Sequence, residues 1–213
     1  MLIATPPFFL GVIAKTKAFF AGCKGPPLLQ AYYDLVRLGR KGTVISRSSS
    51  LVLRAAPAVI FTSVLLSALF VPLWGPAPFR FEGDLILFAY FLGLGRFAMI
   101  LAAMDVGSSF SGMGASREAT FGALTELAFF LGFAALAAMT GEVSLTGIFE
   151  WEGSHPLWNP ALLILFAAFF LILLTENSRI PIDDPATHLE LTMIHEAMIL
   201  DYSGPDLGLI LYG

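Results

Sequence analysis

The chain has 213 residues, of which 57% are hydrophobic and 13% charged, and its formal net charge is −4. Soluble domains carry about 25% charged residues, so there is too little polar surface here to cover a water-soluble globule, and lipid is the expected solvent for much of the exterior. The small net charge gives no sign of a nucleic-acid partner, and Cys23, the sole cysteine, rules out an internal disulfide or a cysteine-ligated cluster.

In chain order, the apolar runs predict an all-α, polytopic transmembrane helix bundle with at least five spans, forming a single membrane domain over 1–213. Residues 2–14 are apolar but lack the basic start and cleavage site of a signal peptide, and they fall short of the roughly 20 residues of a full span. Gly25-Pro26-Pro27 stops this run, after which the helical spacing of Leu28, Leu29, Tyr32, Leu35 and Val36 predicts a short interfacial helix over 28–38. Spans follow at 55–74, 85–104, 119–140 and 159–176. Asp183-Asp184-Pro185 marks a further helix start. That helix, over 185–200, carries Leu189, Met193, Ala197 and Leu200 on one stripe and is closed by Tyr202-Ser203-Gly204-Pro205. A sixth apolar run begins near 206 and stops at Gly213, so both ends look truncated.

Charge sets the orientation. Segment 15–54 holds Lys15, Lys17, Lys24, Arg37, Arg40, Lys41, Arg47 and Arg54, eight of the twelve basic residues. Arg117 in 105–118 and Arg179 in 177–205 bring that side to ten, against Arg80 alone on the other side. The positive-inside rule therefore places 15–54, 105–118 and 177–205 in the cytoplasm.

An ionisable group inside a membrane costs about 2.5–3.5 kcal/mol on insertion scales, so each one calls for a reason. Arg96 stands near the middle of the third helix, and Glu126 lies about 10 Å along the fourth. Asp105, Glu118 and Glu176 sit at helix ends. One reading is a chain of acids that carries protons; another is an interhelical ion pair such as Arg96 with Glu126. The inside segment adds His188, His195, Glu190, Glu196 and Asp201. The two histidines, seven apart, lie two turns from each other on one face, which suits proton handling better than chelation of one metal ion. Gly93-x-Gly95 lies within an apolar helix and reads as a packing feature.

Three stretches resemble one family. They are K-G-P-P-L-L-Q-A-Y-Y-D-L-V-R-L-G-R-K at 24–41, D-V-G-S-S-F-S-G-M-G-A-S-R-E at 105–118, and E-N-S-R-I-P-I-D-D-P-A-T-H-L-E-L-T-M-I-H-E-A-M-I-L-D-Y-S-G-P-D at 176–206. Together they resemble the complex I subunit 1 family, in particular its branch in formate hydrogenlyase and group 4 membrane-bound [NiFe] hydrogenases. The resemblance implies a fold of about eight transmembrane helices in the inner membrane of a prokaryote. It also implies a non-catalytic anchor that docks a hydrogenase large subunit and an iron–sulfur small subunit onto antiporter-like membrane subunits. The [NiFe] centre and the iron–sulfur clusters would belong to those partners, and no cofactor or metal to this chain.

Residue by residue, Ser178, Arg179, Pro181, Asp183 and Pro185 match the family's S-R-x-P-x-D-x-P loop, with Asp184 and Glu196 beside it. Glu190-Leu191 matches its acid-leucine pair, and Asp201-Tyr202-Ser203-Gly204 matches E-Y-S-G. Arg117 and Glu126 match the arginine and buried glutamate of R-x8-E. A proton path through Glu126, Glu190, Asp201, Asp105, Glu118, His188 and His195 is implied, with first-loop contacts at Gln30, Asp34 and Arg37. His188 in place of an acid, and about three extra residues between Leu191 and Asp201, favour the hydrogenase branch over a quinone-site subunit of complex I. A separate cation antiporter is the weakest alternative, since the inside segments match a docking subunit and no inverted repeat is present.

Overall fold

A computed structural model describes residues 5–46, 49–72, 75–154, 159–178, 182–183 and 193–213. Among them the chain forms nine helices and no strand: α1 (Thr5–Phe20), α2 (Gln30–Gly39), α3 (Leu51–Ala68), α4 (Asp84–Asp105), α5 (Ser109–Thr140), α6 (Leu145–Ser154), α7 (Pro160–Glu176), α8 (Ile194–Ile199) and α9 (Gly204–Tyr212). Three are long and apolar enough to cross a membrane, α3, α4 and α5, and α7 is a shorter apolar helix of 17 residues. The bundle is all-helical, as the composition requires, but among the described residues fewer helices reach full span length than the apolar runs suggest.

The expected and observed boundaries differ for local physical reasons. Lysine is a good helix former, so α1 runs through Lys15 and Lys17 to Phe20. It ends at Gly22, whose φ is +68°. There the Cys23 N–H reaches the Ala18 carbonyl and the Gly22 N–H reaches that of Phe19, a Schellman closure. The short helix expected over 28–38 is α2.

Helix α3 starts four residues ahead of the expected 55 because Ser50 caps it, its hydroxyl accepting the Val52 N–H. It stops at Ala68, short of the expected 74. Pro72 lies just beyond and pushes the residue before it out of helical conformation.

The largest difference is α5, which begins at Ser109 rather than near 119. Gly112 and Gly114 weaken a helix there by propensity, but tertiary packing overrides it. A Cβ at Gly114 would stand 2.9 Å from the Ile194 carbonyl oxygen, so the missing side chain is what lets α8 cross α5. Helix α6 lies between the spans expected at 119–140 and 159–176. The buried Asp84 carboxylate accepts the Leu145 N–H and the Ser144 hydroxyl, both at 2.8 Å, which fixes α6's first turn. Leu145 and Ile148 then pack with Phe70 and Leu85.

Most of the helix expected over 185–200 lies outside the described residues. Its described part buries Ile194, Ala197 and Met198, while Leu200, expected on the same stripe, is exposed.

Pro57 stands inside α3 and has no N–H to offer the carbonyl of Leu53, four residues back. The buried Tyr202 hydroxyl donates to that carbonyl at 3.1 Å. A transmembrane helix tolerates proline where another group satisfies the freed backbone atom. Burial, reinforced by the charges of Asp206 and Asp105, pushes the Tyr202 phenol up from its ordinary pKa, so the hydroxyl remains a donor. Tyr202→Phe is expected to cost about 1–2 kcal/mol of unfolding free energy in detergent. Adding Pro57→Ala should restore part of it, because residue 57 regains its N–H; a double variant no more stable than Tyr202→Phe would refute this pairing.

Candidate functional site: an arginine among three glutamates

Glu118, Gly122 and Glu126 follow one another at intervals of four along α5, which sets them on one face, with the two acids about 12 Å apart along the axis. Arg96 reaches this face from α4. Its Nε lies 3.4 Å from Glu118, and its Nη1 lies 3.1 Å from Glu126. Nη1 also donates to the Gly122 carbonyl at 3.2 Å. Its Nη2 pairs with Glu176, the last residue of α7. One guanidinium thus ties α4, α5 and α7 together.

The Arg96 side chain is 12% exposed, and the acids range from Glu118 at 19% through Glu176 at 34% to Glu126 at 48%. The arginine is therefore enclosed while Glu126 remains accessible. All four charged side chains, with His195, line a cavity of about 730 Å³ whose walls include Phe88, Phe129 and Phe169. When all four groups ionise, one cation faces three carboxylates. The cluster can then accept a proton and still balance its arginine, and low-dielectric walls strengthen every interaction within it.

Of the residues singled out from the sequence, the structure gathers Glu126, Glu118 and His195 at this cavity and sends others elsewhere. Asp105 accepts the Ser50 and Leu53 N–H groups at 2.7 and 3.3 Å, holding the start of α3. Asp183 is buried and accepts the Ile194 N–H at 2.8 Å, fixing the start of α8. Asp201 accepts the Ser111 hydroxyl at 3.3 Å. Glu196 is exposed on α8, and Ser178 follows α7 with a φ of +45°. Gln30 donates to Asp34 at 3.0 Å, and Arg37 is exposed on the same helix α2. Arg179, Pro181, Asp184, Pro185, His188 and Glu190 lie outside the described residues.

Two features differ from the expected pattern. Arg117 and Glu126 both lie within α5, and nine residues in a helix is a half-turn offset, so they leave opposite sides; the partner of Glu126 is Arg96. Glu126 is also half exposed rather than buried. The sequence suggests the Arg96–Glu126 pair but neither Glu118 nor Glu176 as further partners of Arg96. The available signal was charge balance: Arg96 is the one basic residue in the middle of an apolar span.

The Asp201-Tyr202-Ser203-Gly204 stretch joins the two long polar segments. Ser203 Oγ accepts the Val44 N–H at 2.8 Å and donates to the Val44 carbonyl. Gly204, with φ +58°, lies so close to the Gly42 carbonyl that a Cβ would be 2.7 Å from its oxygen. Residues 42–46 and 201–204 therefore lie against each other.

A family model described as NADH dehydrogenase matches residues 1–213. The chain is 34% identical over 217 residues to hydrogenase-4 component C of Escherichia coli (strain K12), an alignment covering 100% of this chain and 67% of that protein. It is 30% identical over 218 residues to formate hydrogenlyase subunit 4 of the same organism, covering 100% and 69%. Against a subunit of the NADH-quinone oxidoreductase of Rubrobacter xylanophilus it is 31% identical over 189 residues, covering 86% and 56%. In fold it is similar to a chain of the membrane-bound sulfane sulfur reductase, an archaeal respiratory membrane complex, with a TM-score of 0.83 at 22% identity, covering 96% of this chain and 67% of that one.

Removing the arginine tests the balance of the cluster. Arg96→Gln leaves three crowded carboxylates with no counter-charge, and is expected to destabilise the protein by about 3 kcal/mol at neutral pH. Protonating the acids relieves their repulsion, so the deficit should shrink as pH is lowered through the carboxylate range. Unfolding of the purified variant across pH measures both; a deficit independent of pH would mean the acids are not held by Arg96.

Proposed function

The chain belongs to the NADH dehydrogenase family, that of complex I subunit 1, and on that premise we propose that it is the non-catalytic membrane anchor and proton-coupling subunit of a group 4 [NiFe] hydrogenase-type, formate hydrogenlyase-like complex. The observation that carries the coupling part is the Arg96 cluster, one cation and three acids at a cavity among apolar helices. The hydrogenase branch is favoured because its two relatives align over 100% of the chain at 34% and 30% identity.

In this reading the face built by 42–46 and 201–204, with α2, receives a soluble module of an iron–sulfur small subunit and a [NiFe] large subunit. Antiporter-like subunits lie beside the bundle in the membrane. The redox centres reside in the partners, and this face looks into the cytoplasm, in keeping with the ten basic residues on its side.

The mechanism is electrostatic. Glu176 closes α7 immediately before segment 177–205, so it is the acid of the cluster nearest in sequence to the docking face. A charge appearing or moving at that face changes the hold of Glu176 on Arg96. Arg96 then leans more or less on Glu118 and Glu126, and their hold on a proton changes in turn. Two unit charges 4 Å apart interact by about 4 kcal/mol at an effective dielectric of 20. A pKa unit corresponds to about 1.4 kcal/mol, so rearranging one such contact suffices to load or release a proton.

Glu126→Gln removes a carboxyl with little change in volume. In the assembled complex, protons translocated per electron are expected to fall to a small fraction of the wild-type ratio; a preserved ratio would end the coupling reading. Comigration of the chain with a [NiFe] large subunit on a native gel tests the anchor role.

A second reading, a quinone-site subunit of a respiratory NADH dehydrogenase, is favoured by the likeness to the NADH-quinone oxidoreductase relative. It predicts that the purified complex reduces added quinone and is blocked by quinone-site inhibitors. Indifference to both excludes it.

A further inference from the structure

The three atoms nearest to a Cβ built at Gly122 all belong to Arg96: Cδ at 2.8 Å, Nη1 at 2.9 Å and Nε at 3.4 Å. Other glycines in the bundle face different neighbours. Gly95 faces Ser63 of α3, Gly114 faces the α8 backbone, and Gly132 faces the ring of Phe169. Gly122 therefore makes room for a guanidinium, whereas the others make room for helix crossings or a ring. Its counterpart on α4 is Gly93, three residues before Arg96, where a Cβ would lie 3.2 Å from Glu126 Oε1.

From this we infer that Gly122 is a positioning residue for the charge cluster: the bare backbone at 122 lets Arg96 lie flat across α5 and reach Glu118 and Glu126 at once, with Gly93 seating the Glu126 carboxylate from the other side. Glu118 and Glu126 flank Gly122 by one turn each. A cation that bridges them must cross the residue between, and any side chain there occupies its path. The guanidinium also takes a hydrogen bond acceptor, the Gly122 carbonyl, from the surface it crosses. A glycine inside a helix is less favourable than alanine, and here that cost secures the reach of the arginine.

The clash expected in Gly122→Ala falls on the far end of a flexible side chain, so the helix accommodates it and Arg96 moves. With the guanidinium lifted, Glu118 and Glu126 lose part of their counter-charge and hold protons more tightly. The consequence for pumping rests on the function proposed above; the geometric claim does not.

The test is a double-mutant cycle in the full complex, comparing wild type, Gly122→Ala, Arg96→Gln and the double variant. Two quantities are followed against pH: protons translocated per electron, and the infrared band of the Glu126 carboxyl, identified by its loss in Glu126→Gln. Gly122→Ala should move the infrared titration toward alkaline pH, in the same direction as Arg96→Gln. It should add nothing once Arg96 is gone. Gly93→Ala should give a smaller shift, in line with its looser contact.

Full additivity of the two changes, or a Gly122→Ala titration identical to wild type, overturns the inference. If Gly122→Ala fails to assemble, its recovery in the Arg96→Gln background supports the assignment and continued failure there overturns it. If the infrared titration shifts as expected but translocation does not respond, the Gly122 assignment stands and the proton-coupling function falls.

Discussion

A guanidinium in the middle of an apolar helix has to be neutralised, and the packing of the long helices follows from how that is done. Arg96 takes one carboxylate on each side of Gly122 and a third from the end of α7. Their positions fix the rotation of α5 about its axis and hold the end of α7 against α4. Beside this cluster the three helices meet through aromatic rings, Phe88 against Phe129 and Phe169 against Phe129 and Phe133. Much of their surface is exposed apolar residue such as Leu124, Leu127 and Leu131, suited to lipid. Without a hydrophobic driving force between helices in a bilayer, small residues and polar contacts become the means of association. The arginine cluster with its glycine seat is a concentrated instance.

The ends of α4 carry the complementary arrangement. Asp84 at its start holds the first turn of α6, and Asp105 at its end holds the first turn of α3. Unsatisfied N–H groups at a helix start carry partial positive charge, so each carboxylate meets a favourable partner without needing a lysine or arginine. Acids in or beside the membrane thus fall into two kinds here. Those at the ends of α4 are committed to backbone groups, while those around Arg96 share one cation and keep capacity to spare. Of these two kinds, the second has the chemistry to take up a proton.

Legibility from sequence followed the same division. The bounds of α4 and α7 were readable because their apolar runs end at polar residues, Asp84 and Asp105 for α4, the capping Asn159 and Glu176 for α7. Helix α6 was not, because its start depends on Asp84, which lies far away in sequence. The first turns of α5 were not, because Gly112 and Gly114 signal a loop by propensity, and only the crossing of α8 reverses the reading. Glu126 stood out as a short carboxylate too deep to reach water. Glu176 was visible only as a helix-end acid, and Gly122 carried no signal as a single residue. It became meaningful once Arg96 was seen lying across it. The pairing of Arg117 with Glu126 in a linear motif concealed that they leave α5 on opposite sides.

The proline of α3 carries a consequence for anyone recombining this bundle. Residues 51–68 look like a self-contained helix, capped by Ser50 at one end and stopped before Pro72 at the other. They are not a portable module. The Leu53 carbonyl is completed by a phenol from the far end of the sequence, so a chimaera that grafts α3 onto another scaffold inherits a dangling acceptor unless Tyr202 travels with it or Pro57 is replaced. Such a cut-and-paste boundary fails at a hydrogen bond that no map of helices displays.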